Sequence, residues 1–425
     1  MKRSTRREFL RRSTAGGFSV AVAGQAVAGA GMETTSSGGP SAIAARYRDN
    51  VYTRLVGVRP HLPAHEHLTR LSGNSMPAEV VAAMAEANEF FVDMDELTLA
   101  SGRRVAELLG AEAALVTCGA FSAMVLGAAA CLTGTDAAKI DALPHPTWPR
   151  RECLIHRAHR FDYDRAYRAA GMTIVEAESR EDLASKITDR TAMIAVLNAV
   201  EKQKEFGPPI PKKMATQHGP EVPRSEELIA TGKKAGVPVL IDMASDLPPF
   251  TNLERFAKAG ADLIVVSGGK GIGGPQSTGI LAGRRDLIDA ARIHAAPNGN
   301  IGRGMKVGKE EMIGVLAALE RYLRVDHDAE RRELEERAAH VLGVLAKVSG
   351  VKAEKHVPEI ANNVPHVRID WEGKRTAREV VKQLAEGDPS IAVSARGERG
   401  LMVSMWTLRG DEHKIVARRL KEVLG

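Results

Sequence analysis

Cysteine is scarce: Cys118, Cys131 and Cys153 are the only three in 425 residues. They cannot all pair with one another and no CxxC spacing occurs, which argues against a disulfide framework and a cysteine metal site and points to reduced or inert thiols. Aromatic residues make up only 4% of a chain that is 44% hydrophobic. That apolar content is ample for a large core, read as one big domain plus a smaller one. A P-loop is missing where glycines beside a lysine invite one: Lys270 is followed by Gly271, not Ser or Thr, and lacks the upstream glycine. Gly269, Gly271 and Gly274 satisfy G-x-G-x-x-G. However, Pro275 and "STGILAG" (277–283) read as a turn into a strand, not the helix that a dinucleotide site opens.

Nor does the basic pI of about 9.2 argue for nucleic acid. Residues 1–30 hold six basic residues and one acid, five of the chain's six net positive charges. There Arg6 and Arg7 precede Phe9 and Leu10, then a Gly/Ala-rich apolar stretch, then A-x-A-like options at 26–30. This order is that of a twin-arginine export signal, with a basic tail as the alternative. The stretch is too short and glycine-interrupted for a transmembrane helix. The expected location is periplasmic or extracytoplasmic. Such signals carry folded proteins, often with a cofactor inside.

"TTSSGGPSA" (34–42) reads as a linker, and from there helical and strand-like segments alternate, the pattern of an α/β domain with a largely parallel sheet. The expected organisation is a signal (1–30), a linker and N-terminal arm (31–75), a large domain (76–305) and a linking helix with a small C-terminal α+β domain (306–425). A helix is expected over 101–110, with Ser101 as its cap, and a long broken helix over 309–348. Residues 205–223 read as an insertion loop.

The chemistry gathers at two strand ends. "VLIDMASD" (239–246) places Asp242 after four apolar residues, and "DLIVVSGGKGIGG" (262–274) places Lys270 at the end of the next strand. Ligands of open α/β sheets bind at that carboxyl edge. An acid and a lysine there suit pyridoxal phosphate: the lysine forms a Schiff base and the acid pairs with the pyridinium nitrogen. Phosphate needs free N–H groups at a helix start. "TCGAFSA" (117–123) offers Gly119, Ala120, Phe121 and Ser122, with Ser267 a second candidate. Taken alone, each of these reads better as an ordinary strand end or turn; together, in this order along the chain, they favour the cofactor.

These blocks resemble the family of bacterial selenocysteine synthase (L-seryl-tRNA selenium transferase) and its relatives without a tRNA-binding region, such as sugar-acid ammonia lyases. The resemblance rests on "SGGKGIGGPQSTGILAG" (267–283), "VLIDMAS" (239–245), "GAEAALVTCGAFSA" (110–123), "HRFDYDRAYRAAG" (159–171) and "GRGMKVGKEEMIGVLAALERY" (302–322), and spans roughly 46–424. It implies fold type I, aminotransferase-like: a large domain with a mixed, mainly parallel seven-stranded sheet, a small C-terminal domain, and active sites shared between subunits of a homodimer or higher oligomer. It implies that Lys270 is the Schiff-base lysine, Asp242 the pyridinium partner and His159 the residue stacked on the cofactor. Arg303 and Arg396 would bind the substrate's carboxylate, while Gly273, Gly274 and Gln276 would reach the neighbouring subunit's cofactor. Two departures stand out. An export signal replaces the tRNA-binding helices, so tRNA is not the expected substrate. "PHLPAHEHLTRLSGNS" (60–75), with His61, His65 and His67, replaces the usual segment; substrate contacts or plain surface are favoured there over a metal site.

The expected activity is formation of a Cα carbanion of an amino acid or amino sugar acid, most simply by a lyase that eliminates a β-group and releases ammonia. An aminotransferase or racemase on the same scaffold is the first alternative. A non-catalytic exported binding protein is the second.

Overall fold

The computed structural model describes residues 40–198, 222–358 and 362–425. The candidate signal (1–30) and most of the insertion loop (205–221) lie outside these residues. The N-terminal arm forms helices α1 (Pro40–Arg48) and α2 (Val51–Val56) and the short strand β1 (His61–Ala64).

Helices α3 (Ala78–Asn88) and α4 (Met94–Leu109) follow. Helix α4 starts earlier than the expected cap at Ser101. Asp93 accepts from the Asp95 and Glu96 amides, and Gly110 ends the helix at φ 64°. Ser101 instead lies buried within the helix, its hydroxyl donating to the Thr98 carbonyl. An aspartate followed by two acids, Asp95 and Glu96, is the stronger start signal, because the acids also oppose the helix dipole.

Next come β2 (Ala113–Thr117), α5 (Gly119–Thr133), β3 (Glu152–His156), α6 (Arg165–Ala169), β4 (Thr173–Ala177), β5 (Thr191–Leu197) and α7 (Ser225–Ala235). Then follow β6 (Val239–Asp242), α8 (Asn252–Ala259), β7 (Leu263–Ser267), β8 (Gly279–Gly283) and α9 (Arg285–His294). Strands β2–β8 form one seven-stranded sheet in the order β2-β8-β7-β6-β5-β3-β4. Strand β8 runs antiparallel to both neighbours, while the other pairings are parallel. Every residue of β2, β5, β6 and β7 is buried, as the near-continuous apolar runs of a sheet covered on both faces require. Alternation sorts the faces: Leu240 packs with α5 and α9, whereas Ile241 packs with α4 and helix α10 (Lys309–Arg324).

The long C-terminal helix breaks as expected. Helix α10 stops before Val325, and Asp326 caps the next helix, α11 (His327–Leu345), by accepting from the Ala329 amide. Beyond it lie β9 (Val351–His356), β10 (His366–Trp371), α12 (Ala377–Ala385), β11 (Ser390–Ala395), β12 (Gly400–Ser404) and α13 (Glu412–Leu424). They build a five-stranded sheet, β1-β11-β12-β10-β9, over its own apolar core. Strand β1 comes from the arm and pairs parallel to β11, with His61 opposite Ser390. Thus the N-terminal segment is woven into the C-terminal layer. Among the described residues no helix is long and apolar enough to cross a membrane.

Candidate active site

Three strand ends align at the carboxyl edge of the seven-stranded sheet. Thr117 pairs with Gly279, and Gly279 pairs with Ser267. On the other side of β7, Asp242 pairs with Val265. The start of α5, the lysine loop and Asp242 therefore share one edge.

The loop after β7 folds back tightly. The Gly268 amide donates to Thr278 O at 2.9 Å, and the Gly274 amide to Gly268 O at 2.8 Å. Asn74 donates to the Lys270 carbonyl at 2.7 Å, so the arm pins the lysine's backbone. Asp242 is 4% exposed. Its Oδ1 accepts from the Ala244 amide at 2.9 Å, and no donor among the described residues reaches Oδ2. Burial raises the Asp242 carboxyl above its ordinary range, opposed by the Ala244 bond and by the charge of Lys270. A buried carboxylate with an unfilled oxygen beside a lysine calls for a cationic partner.

Helix α5 opens without a side-chain cap at Cys118, leaving first-turn N–H groups for an anion. Gly119 adopts φ 76°, and Gly279 lies so close that a Cβ there would stand 2.6 Å from Gly119 O and 2.7 Å from Ala120 N. Ser122 is buried and donates to the Cys118 carbonyl at 2.6 Å, so its proton points to the backbone. Ser267 ends β7 at 9% exposure, while Phe121 is 40% exposed. The uncapped amides, the orphan Asp242 oxygen and Lys270 together fit a phosphorylated pyridinium aldehyde.

His159 follows β3 and is wholly buried. Its Nδ1 accepts from the Leu197 amide at 3.1 Å and its Nε2 donates to Pro223 O at 3.0 Å. Burial lowers its pKa to about 4. With both nitrogens bonded to backbone and no exposed face, the imidazole braces the ends of β3 and β5 instead of offering a free stacking surface.

A cavity of about 510 Å³ opens beside Lys270. Phe250, Tyr322, His67, Trp406 and Arg409 line it; of the expected site residues, only Lys270 and Gly273 do. Arg396 does not, and the strand register gives the reason. Its amide bonds Gly400 O and its side chain pairs with Asp370. Asp370 and Gly400 face each other at one end of the β10–β12 ladder, while His366 and Ser404 face each other at the other. That far end leads to Trp406, roughly 13 Å away at the usual rise per residue. Arg303 is exposed and outside the cavity. Gln276 and Gly274 serve their own chain: Gln276 donates to Thr69 O at 3.0 Å, and a Cβ on Gly274 would meet Val315 and Ala318 of α10 at 3.4 Å.

The three arm histidines divide. His65 donates to the Glu66 carbonyl through Nδ1, so its Nε2 accepts from His61 Nε2 at 3.1 Å. His67 packs against Trp406 with ring centres 3.7 Å apart and planes tilted by 47°. Among the described residues no three His, Cys, Asp or Glu side chains gather as a metal set. Asn74, which bonds Lys270, and Tyr322 and the 406–409 turn, which line the same cavity, carry no local sequence signal, since each is far in the chain from Lys270.

Residues 217–364 match the family described as L-seryl-tRNA selenium transferase. The chain is 31% identical over 384 residues to the 5'-C-glycyluridine monooxygenase-decarboxylase of a Streptomyces species, covering 87% of this chain and 91% of that one. It is 26% identical to the D-glucosaminate-6-phosphate ammonia lyase of Salmonella typhimurium, covering 88% and 98%. A solved structure of a D-glucosaminate-6-phosphate ammonia-lyase shares the fold with a TM-score of 0.74, at 24% identity over 88% of this chain and 98% of that one. With its fold and its lysine–aspartate edge, the chain belongs to the pyridoxal-phosphate enzymes of fold type I that include these relatives, the selenocysteine synthase-like family.

Proposed function

We propose that this enzyme is a lyase acting on an amino acid that carries a sugar-like or sugar-acid tail. It would remove the Cα proton, expel the β-substituent and, after hydrolysis, release ammonia and a keto acid. The observation that carries this reading is the Lys270–Asp242 pair beside an uncapped helix start, with Asp242 Oδ2 unfilled. Bound there, pyridoxal phosphate supplies the electron sink for the bond broken at Cα. Lys270 would hold the cofactor covalently between turnovers, and its freed amine would take the Cα proton. Asp242 would pair with the ring nitrogen and keep it protonated. The amides of Gly119, Ala120 and Phe121, with Ser267, would hold the phosphate. Among the relatives, one is named for glycyluridine and one for glucosaminate phosphate; both names join an amino acid to a sugar skeleton.

A second reading has its own support. The relative with 31% identity is named a monooxygenase-decarboxylase. The same residues would then favour loss of the carboxylate over loss of the proton, with dioxygen as oxidant.

A second copy of the chain completes the site in this reading. Phe91 is 100% exposed, Phe90 58% and Tyr52 60%, an apolar display that water disfavours and a partner would cover. Exposed Arg303 would reach the partner's site. The twin arginines Arg6 and Arg7 would direct export to the periplasm, where tRNA is absent.

The test is the visible spectrum of the purified protein beside Lys270→Ala. A yellow band lost in the variant supports the anchor. Ammonia release from amino sugar acids, against carbon dioxide release with oxygen uptake, then separates the two readings. A protein that stays colourless with added pyridoxal phosphate sinks both.

A further inference from the structure

Arg409 lines the cavity beside Lys270, yet its guanidinium has no hydrogen bond or ion pair among the described residues. We propose that the turn Trp406–Arg409 reads a substrate oxyanion, carboxylate or phosphate, through the Arg409 guanidinium. This deepens the reading of the cavity as the substrate site and rests on it.

The turn is held rigidly from several directions. The Trp406 amide donates to Ser404 Oγ at 3.3 Å, and the Thr407 hydroxyl bonds the carbonyls of Pro63 and, at 2.9 Å, His65. Arg337 donates to the Leu408 carbonyl. The Arg409 amide donates to Glu412 Oε2 at 2.9 Å, and the Arg409 carbonyl accepts from the Glu412 amide at 3.0 Å. Glu412 is 1% exposed and is itself held by Tyr47 at 2.9 Å and Arg46 at 3.2 Å. The backbone of the turn is thus committed, while the Arg409 side chain itself is exposed at the cavity's rim, so binding orders the side chain but not its mount.

Charge points the same way. Five basic residues line the cavity (Lys270, Arg321, Arg331, Arg337 and Arg409), against three acids, Asp328, Glu330 and Glu333. Glu330 pairs with Arg321 at 3.3 Å, Glu333 pairs with Arg337, and Arg331 has Glu335 at 3.9 Å. Asp328 sits in the first turn of α11, where the helix dipole accommodates it. Of the lining arginines, Arg409 is the one whose guanidinium has no acid against it among the described residues, and a guanidinium fork matches the paired oxygens of carboxylate or phosphate. Trp406, packed against His67, lines the same cavity. The role expected of Arg396 thus falls to an arginine at the opposite end of the same sheet.

The experiment uses the holoenzyme, whose cofactor fills its own phosphate site, and follows binding of inorganic phosphate and, separately, acetate by calorimetry. We expect Arg409→Gln to weaken anion binding by about tenfold or more and Arg409→Lys to retain part of it, because a point charge keeps attraction but not the fork. Arg396→Gln should bind as wild type. Preference for phosphate assigns a phosphate monoester, and preference for acetate a carboxylate. Wild-type binding by Arg409→Gln, an equal loss in Arg396→Gln, or no anion binding by the wild type overturns the proposal. The cofactor reading fails separately, through a missing visible band, and on colourless protein the acetate titration of wild type against Arg409→Gln still decides the role of Arg409.

Discussion

Asp242 and Lys270 meet across neighbouring strand ends: burial lifts the Asp242 carboxyl, and both the Ala244 amide bond and the lysine's charge pull it back. A carboxyl raised in the fold binds more protons folded than unfolded. Its favourable contribution is complete below the unfolded value of ~3.9 and is lost as pH climbs through the raised folded value. Without cofactor, Asp242→Asn should therefore melt higher than wild type at neutral pH, the gap closing on acidification. With cofactor the order should reverse, because only the carboxylate pairs with a ring cation, and turnover should fall by about 10²–10³-fold. Melting curves with and without pyridoxal phosphate check this; an Asn variant that gains as much from cofactor as wild type separates Asp242 from the ring nitrogen.

Gly279 supports the phosphate end of the same edge. Its missing Cβ makes room for Gly119 O at 2.6 Å and Ala120 N at 2.7 Å, backbone atoms that no side-chain rotation can move aside. Gly279→Ala should push the start of α5 away from β8, costing about 1–3 kcal/mol of stability and at least tenfold in cofactor affinity. Gly299→Ala, where a Cβ meets nothing within 4 Å, is the control. Equal cofactor affinity in both variants would show that α5 does not hold the phosphate.

How much of this was legible depended on whether the signal was local. Lys270 and Asp242 each end a buried apolar run, so strand, edge and chemistry could be read within a few residues. The place of the helix break at Val325–Asp326 came from the structure, whereas a break in the helix expected over 309–348 was legible. Strand β9 was not, because its alternating burial leaves a polar sequence, Val-Lys-Ala-Glu-Lys-His, at a sheet edge. Strand β1 escaped too: its partner β11 lies over 300 residues away, and only the fold pairs His61 with Ser390. Arg396 and Arg409 look alike as arginines in Gly-flanked turns, and only the β10–β12 register tells which end of the sheet faces Lys270.

His159 gives the protein an acid-sensitive brace. Burial lowers its pKa to about 4, against ~6.5 unfolded, so the fold binds fewer protons than the unfolded chain. Its contribution is present above the unfolded value and is lost as pH falls through about 4, a difference on the order of 3 kcal/mol. His159→Gln should melt lower than wild type at neutral pH, by about 1–3 kcal/mol for the disturbed backbone bonds. It should also decline less steeply on acidification. His294, likewise lowered to about 4 by burial, leaves a residual slope in the variant. Parallel pH–melting curves for variant and wild type would remove His159 from the account.

If active sites are shared, Lys270 and Arg303 serve the same site from different chains, the lysine on the cofactor and the arginine on the substrate. Lys270→Ala and Arg303→Gln should then each be inactive alone. After mixing, unfolding and reassembly at equal amounts, random pairing places both intact residues at about a quarter of the sites, so activity should return to about that level. Phe91→Glu introduced into both partners should abolish the rescue, since a charge on that exposed ring opposes burial of the apolar face. The companion measurement is sedimentation: dimers in the mixture and smaller species with Phe91→Glu. Dimers that show no recovery would confine Arg303 to its own chain, and a monomeric, fully active wild type would dismiss the shared site.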